Sequence, residues 1–229
     1  MAAMAAAARQ MDDATTTESV LEIGVGWSVS LVPGCQMAGV TARRRRGRLE
    51  SRAPSDPVVA ECDRLQHELG EGPCLDAITD APVISSPDAA TDGRWPRWGP
   101  RVADEHGVAS MLSVRLFSSD RVHGALNLYS RDRDAFDAYS VDIAVLLATH
   151  VSVALRSALA DENLRVAVDS RHRIGQAQGI LMERYALDAP GAFGVLSRVS
   201  QERNIRLIDV ADHVVTRRVL PGAADVVST

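Results

Sequence analysis

The sequence contains no lysine, and all 25 of its basic residues are arginine. Together with the many alanines, this points to a coding bias toward GC-rich codons more than to a physical requirement. Aromatic residues make up only 4% of the 229 positions, so a core must be built mainly from aliphatic side chains. The three cysteines, Cys35, Cys62 and Cys74, are odd in number and have no CxxC spacing. Neither a disulfide framework nor a cysteine-based zinc site is indicated, and reduced thiols in a cytosol are the simplest reading. No apolar run reaches the about 18 residues that a membrane span requires. Residues 1–8 lack the basic lead and the length of a signal peptide. There is no nucleophile–base motif, no phosphate-binding glycine loop and no metal-ligand cluster, so catalysis is not expected. His172 and His213 are isolated.

A chain of this length holds one or two domains and can bury a sizeable core. The net charge of −5 excludes a general polyanion binder. The charge is uneven, however: residues 171–218 hold eight arginines against five acids. A locally basic module on an acidic body fits a nucleic-acid contact confined to one end, although an imbalance this small is also common by chance. A second basic feature is the run at 43–48, five arginines in six residues. It is either a phosphate-binding patch or, the weightier reading, a solvated hairpin tip kept extended by like-charge repulsion.

In chain order, residues 1–18 read as a disordered, Ala- and Thr-rich tail. A helix weakened by glycines follows through Val20, Leu21, Ile23 and Val25. Residues 27–32 alternate as a strand, with 36–40 as the return strand of a hairpin. A helix is predicted over 56–69, with Asp56 as N-cap and Pro57 at its first position. Strands are predicted at 82–84, 110–117 and 124–129, with a short helix at 102–106. About five strands with short helices between them indicate an α+β fold on an antiparallel sheet. Residues 137–187 keep a 3- and 4-residue apolar spacing that is too long for an ordinary globular helix. This suggests a coiled-coil connector and hence a homodimer, or a long helix folded onto the sheet. Helices at 188–203 and 207–218 follow, joined by Asn204 in a left-handed turn. The first of these two is expected to bury Ala192, Phe193, Leu196 and Val199.

One stretch carries the most information: Ile174-Gly-Gln-Ala-Gln-Gly-Ile-Leu-Met182. Its apolar positions recur at helical spacing, yet two glycines interrupt it, each costing about 1 kcal/mol against Ala. With Ala192-Phe193, Leu196, Ser200, Asn204, Leu207 and Val210-Ala211, it resembles the ANTAR domain, the three-helix module of transcription antiterminators, over residues 171–217. Residues 20–160 resemble the GAF sensor domains fused to such modules in actinobacteria, on Gly70-Glu-Gly-Pro-Cys-Leu-Asp-Ala77, Arg94-Trp-Pro96, Gly107 with Ser110, and Gly124-Ala-Leu-Asn-Leu-Tyr129.

The resemblance implies a sensor domain over 19–160 with its helical connector, an RNA-binding domain over 161–220 and a tail over 221–229. It further implies a regulator that binds paired stem-loops in nascent mRNA and stops a terminator hairpin from forming. The RNA contacts it implies are Arg171, Arg173, Gln176 and Gln178, with Arg198 and Arg206 weaker. Gln178 stands where the family commonly has lysine, so a charged contact there becomes neutral. Arg171, Arg184 and Arg198 can also be read as ordinary solvated helix residues, and Gly175 and Gly179 as close helix packing. Related GAF domains bind cyclic nucleotides, haem or other small ligands. No Asn-Lys-Phe-Asp-type motif of the cyclic-nucleotide binders is present here, and no cofactor is required by the sequence. His67, His106 and His123 are lone histidines. Cys74 follows a Gly-Pro turn at a helix start, where a thiolate would be favoured. The competing function is a DNA-binding helix-turn-helix factor with the same sensor.

Overall fold

The computed structural model describes residues 2–43, 47–118 and 121–222. The element order is α1 (Ala2–Asp12), α2 (Thr17–Leu31), β1 (Met37–Arg43), β2 (Leu49–Arg52), α3 (Pro57–Leu69), α4 (Pro73–Thr79), β3 (Val83–Ser86), α5 (Trp98–His106), β4 (Ser110–Ser118), β5 (Arg121–Ser130), α6 (Ala138–Tyr185), α7 (Ala189–Arg203) and α8 (Leu207–Arg217). The chain divides into two compact units, Met1–Ala160 and Asp161–Thr229.

In the first unit the five strands form one antiparallel sheet in the order β2-β1-β5-β4-β3. Side chains alternate across a strand, and here both faces are buried. Ala38, Val40, Leu112, Val114, Leu116, Leu126 and Leu128 join an apolar cluster with Val20, Leu21 and Val25 of α2 and Leu147 and Val151 of α6. The opposite face presents Met37, Met111, Ala125 and Tyr129 to Val59, Cys62 and Leu65 of α3, Cys74 and Ala77 of α4, and Trp98 and Val102 of α5. α3 starts and ends as its sequence predicts. The Asp56 carboxylate accepts from Val58 N at 2.8 Å, and Gly70 closes the helix in the left-handed region at φ 67°.

Three expectations fail in the first unit. Residues 1–18 are not an unstructured tail: α1 forms, and its Ala7 and Met11 are buried in the α2–α6 cluster. Ala is the best helix former, and two apolar residues four apart on one face give the helix something to bury. Residues 27–31 are not a strand but the last turns of α2. That helix starts at a Thr16–Ser19 capping box, and its buried positions Val20, Leu21, Gly24, Val25 and Ser28 keep helical spacing to the end. α5 begins at Trp98, four residues before the predicted start.

α6 is long and apolar enough to cross a membrane by length and composition. Its Ala144, Leu147, Ala148, Val151 and Leu155 are nevertheless buried against the sheet, which accounts for the apolar content of one face. Of the arginine run at 43–48, residues 44–46 lie outside the described residues, as do residues 223–229 of the C-terminal tail.

In the second unit, Ala177 and Leu181 of α6 share a small apolar cluster with Ala192 and Leu196 of α7 and Val210, Ala211 and Val214 of α8. Asp188 caps α7 by accepting from Gly191 N at 2.8 Å, and Asn204 takes the left-handed turn at φ 52°. Phe193, expected in the core, is 43% exposed. Ala192 and Leu196, four apart, take the buried face and leave Phe193 beside it.

Candidate functional site

The C-terminal part of α6 carries four of the six residues singled out as RNA contacts, and helical geometry splits them between two faces. Arg173 and Gln176 are three apart and therefore neighbours; Arg173 Nη1 donates to Gln176 Oε1 at 3.4 Å. Arg171 and Gln178 are seven apart and share a different face. Gln178 is turned toward the start of α7, where its Nε2 donates to the Ala189 carbonyl at 3.2 Å. The structure therefore does not place Gln178 beside Arg173. Gln176 Nε2 also lies 3.0 Å from His172 Nε2.

The remaining candidates come from α7 and α8. Arg198 is exposed on α7. Arg206 precedes α8 and forms a two-point hydrogen bond with Asp209 at 2.7 and 2.8 Å. That pairing holds the Asp209 carboxyl below the usual aspartate range. Arg173 Nε donates to Asp212 Oδ1 of α8 at 2.7 Å, with the two side chains 41% and 48% exposed. Arg171 and Arg198 make no ion pair among the described residues.

A groove of 740 Å³ opens between α6 and α8, lined by Arg173, Gln176, Gly179, Ile180, Glu183, Arg184, Val215 and Arg218. Arg184 and Arg218 thus flank the same surface as Arg173, and Arg184 donates to the Arg218 carbonyl. A Cβ added at Gly175 or Gly179 would meet nothing within 4 Å. Among the described residues, therefore, no neighbouring helix of this chain packs on these glycines. On sequence alone Arg184 can be an ordinary solvated residue, and no motif singles out Arg218. Only the fold brings the start of α6's last turn and the end of α8 to one groove. Tyr185 is also 48% exposed, with the Arg184 guanidinium 5.9 Å from its ring centroid.

In the first unit the notable chemistry is buried. The Asp63 carboxylate, on α3, lies fully inside the sheet–helix core. Its Oδ1 accepts from Tyr129 Oη at 2.6 Å and from Asn127 Nδ2 at 3.2 Å. Its Oδ2 accepts from Ser51 Oγ at 2.8 Å and from Thr41 Oγ1 at 3.2 Å. Desolvation raises its affinity for a proton, and these hydrogen bonds oppose that shift. Burial likewise pushes the Tyr129 hydroxyl far up, reinforced by the Asp63 charge. Nothing in the sequence marked this group.

Cys74 corrects a sequence expectation. It is fully buried, 3.6 Å from Thr41 Oγ1. Desolvation, with the neighbouring Asp63 charge, raises its thiol well above the ordinary value. The helix start does not produce a reactive thiolate. Cys62 is pushed up by burial in the same way. Of the lone histidines, His67 and His106 each leave a buried Nε2 without a partner among the described residues. No group of His, Cys, Asp and Glu there could hold a metal ion.

Comparison with known proteins gives the family. A family model described as GAF domain matches residues 14–156, and one described as ANTAR domain matches residues 162–215. The chain belongs to the GAF domain family and carries an ANTAR domain behind it. Both are regulatory domains, so this GAF–ANTAR protein is a regulator with a signal-sensing part. No curated protein gives a significant match. Among solved structures, the free methionine-R-sulfoxide reductase from Neisseria meningitidis in complex with its substrate is 16% identical at a TM-score of 0.54, covering 69% of this chain and 88% of that one. The GAF domain from Acinetobacter phosphoenolpyruvate-protein phosphotransferase is 16% identical at 0.53, covering 69% and 93%. At such identity the likeness is one of fold.

Proposed function

We propose that this protein is an RNA-binding transcription antitermination regulator, in which the GAF domain senses a signal and the ANTAR domain binds paired stem-loops in nascent mRNA. The sensor with its connector occupies 19–160 and the RNA-binding domain 161–220. The observation that carries the reading is the surface of the last turns of α6. It presents Arg173 and Gln176 on one face and Arg171 on another, with two exposed glycines at which an added Cβ would meet no described atom within 4 Å. Arginine binds phosphate in two-point fashion, and loop bases are reached by stacking and hydrogen bonding. An uncovered helix backbone admits such a partner closely.

Arg171, Arg173, Gln176 and Gln178 are assigned as contacts, with Arg198 and Arg206 in support. The protein works as a cytoplasmic homodimer, presenting two ANTAR domains to two stem-loops. Tyr139, Leu146 and Val153 on α6 repeat every seven residues and are 64%, 44% and 55% exposed, the spacing of a coiled-coil seam. Catalysis is not part of this reading, and a small ligand in the GAF domain is the candidate signal.

The test is a gel shift of the full chain with a twin stem-loop leader RNA: binding is expected, and absence of binding refutes the reading. A DNA-binding helix-turn-helix is the second reading, favoured by the Asn204 turn between α7 and α8. Against it, α8 presents Asp209 and Asp212, which would face the phosphates of a major groove. Tighter binding to duplex DNA than to hairpin RNA at equal salt would decide for it.

A further inference from the structure

Resting on the RNA-binding reading above, we infer that Asp212 is a built-in competitor of RNA for Arg173. It occupies the guanidinium in the free protein and must be displaced before a phosphate can take its place. The two side chains come from positions 39 residues apart and meet at 2.7 Å on the rim of the α6–α8 groove. A carboxylate offers a guanidinium planar acceptors in an arrangement close to that of a phosphate. Both members are near half exposed, so water and an incoming anion reach them, and an ion pair of this kind is only weakly held.

A bracing role for the pair has little to do. α8 is already joined to α6 through the shared apolar cluster of Ala177, Leu181, Val210, Ala211 and Val214. The companion pair Arg206–Asp209 is a local contact between residues three apart, whereas Arg173 belongs to the groove that Arg184 and Arg218 also line and is tied to Asp212 of another helix. Of the arginines lining the groove, Arg173 is thus the one held by an acid among the described residues, and a phosphate must compete with that carboxylate for it.

The experiment titrates full-length wild type and Asp212→Asn with the twin stem-loop RNA across a salt series. The variant is expected to bind about three- to fivefold more tightly. Its plot of log affinity against log salt should keep the wild-type slope, because the same phosphate contact to Arg173 forms in both complexes. The gain should vanish in the Arg173→Ala/Asp212→Asn double variant. Unchanged affinity in Asp212→Asn, with wild type binding normally, would overturn the competitor role alone. So would weaker binding together with a lower melting temperature, which marks a brace. If neither protein binds any stem-loop RNA, the RNA reading itself falls.

Discussion

The two units spend their polar residues in opposite ways. The GAF domain buries a carboxylate and surrounds it with four hydrogen-bond donors, from Tyr129, Asn127, Ser51 and Thr41. The ANTAR domain keeps its charges on the surface, where Arg173 and Arg206 hold exposed acids and Arg171 and Arg198 hold none among the described residues. The glycines repeat the contrast. A Cβ on Gly24 of α2 would lie 2.5 Å from Val151 Cγ2, so this glycine is where α2 and α6 approach each other. A Cβ on Gly175 or Gly179 would meet nothing within 4 Å among the described residues. The contrast holds for these particular residues and not for every glycine, since Gly26 of α2 also meets nothing within 4 Å.

The sharpest way to break that contrast is at Asp63. Asp63→Ala takes the acceptor from the buried Tyr129 hydroxyl and leaves the donors of Asn127 and Thr41 only their contacts with each other and with Cys74. It should destabilise the GAF domain by roughly 3 kcal/mol, read as a lower urea midpoint. A cost below about 1 kcal/mol, the net worth of one ordinary hydrogen bond, would mean the network is incidental. The same group sets a pH dependence. Burial raises the Asp63 carboxyl above its unfolded value, so the fold favours its protonated form. Its contribution is then complete below pH about 4 and is lost as pH rises through the raised value. The wild-type melting temperature should therefore fall across that window relative to Asp63→Asn, which cannot ionise. A constant difference between the two would refute the assignment.

Next in size is the ANTAR surface. Arg171→Ala together with Arg173→Ala should weaken stem-loop binding by about tenfold or more and flatten its salt dependence. Far-UV circular dichroism should be unchanged, because both side chains lie outside the apolar cluster. A matching loss of helicity would show that structural residues had been mistaken for contacts.

The asymmetry between the units also governs what the sequence discloses. The ends of α3 are legible in Asp56, Pro57 and Gly70, because a cap is a contact between residues two or four apart. The hairpin of β4 and β5 is legible for the same reason, as is the turn at Asn204. Residues 27–31 mislead because a short alternation of period two says nothing of the capping box at Thr16 or of the helical burial that overrides it. Asp63 is illegible: its donors lie 12, 22, 64 and 66 residues away, and no local spacing encodes them. The candidate RNA contacts on α6 come from one helix and can be read in order. Asp212, the partner that neutralises one of them, cannot.

The smallest expected effect discriminates most between the two kinds of glycine. Gly175→Ala and Gly179→Ala place a methyl in open space inside a helix and should each stabilise the ANTAR domain by up to about 1 kcal/mol. Gly24→Ala places the same methyl against Val151 and should destabilise the GAF domain through overpacking. Gly26 of α2 is equally open, so openness alone does not imply a partner, and RNA binding is what must single out Gly175 and Gly179. Stem-loop binding by Gly179→Ala should accordingly drop severalfold while its melting temperature rises. Thermal melts and gel shifts on the same preparation read both quantities. A Gly179→Ala protein that is more stable and binds RNA as tightly as wild type would remove the glycines from the RNA-facing surface and leave the arginines to account for it alone.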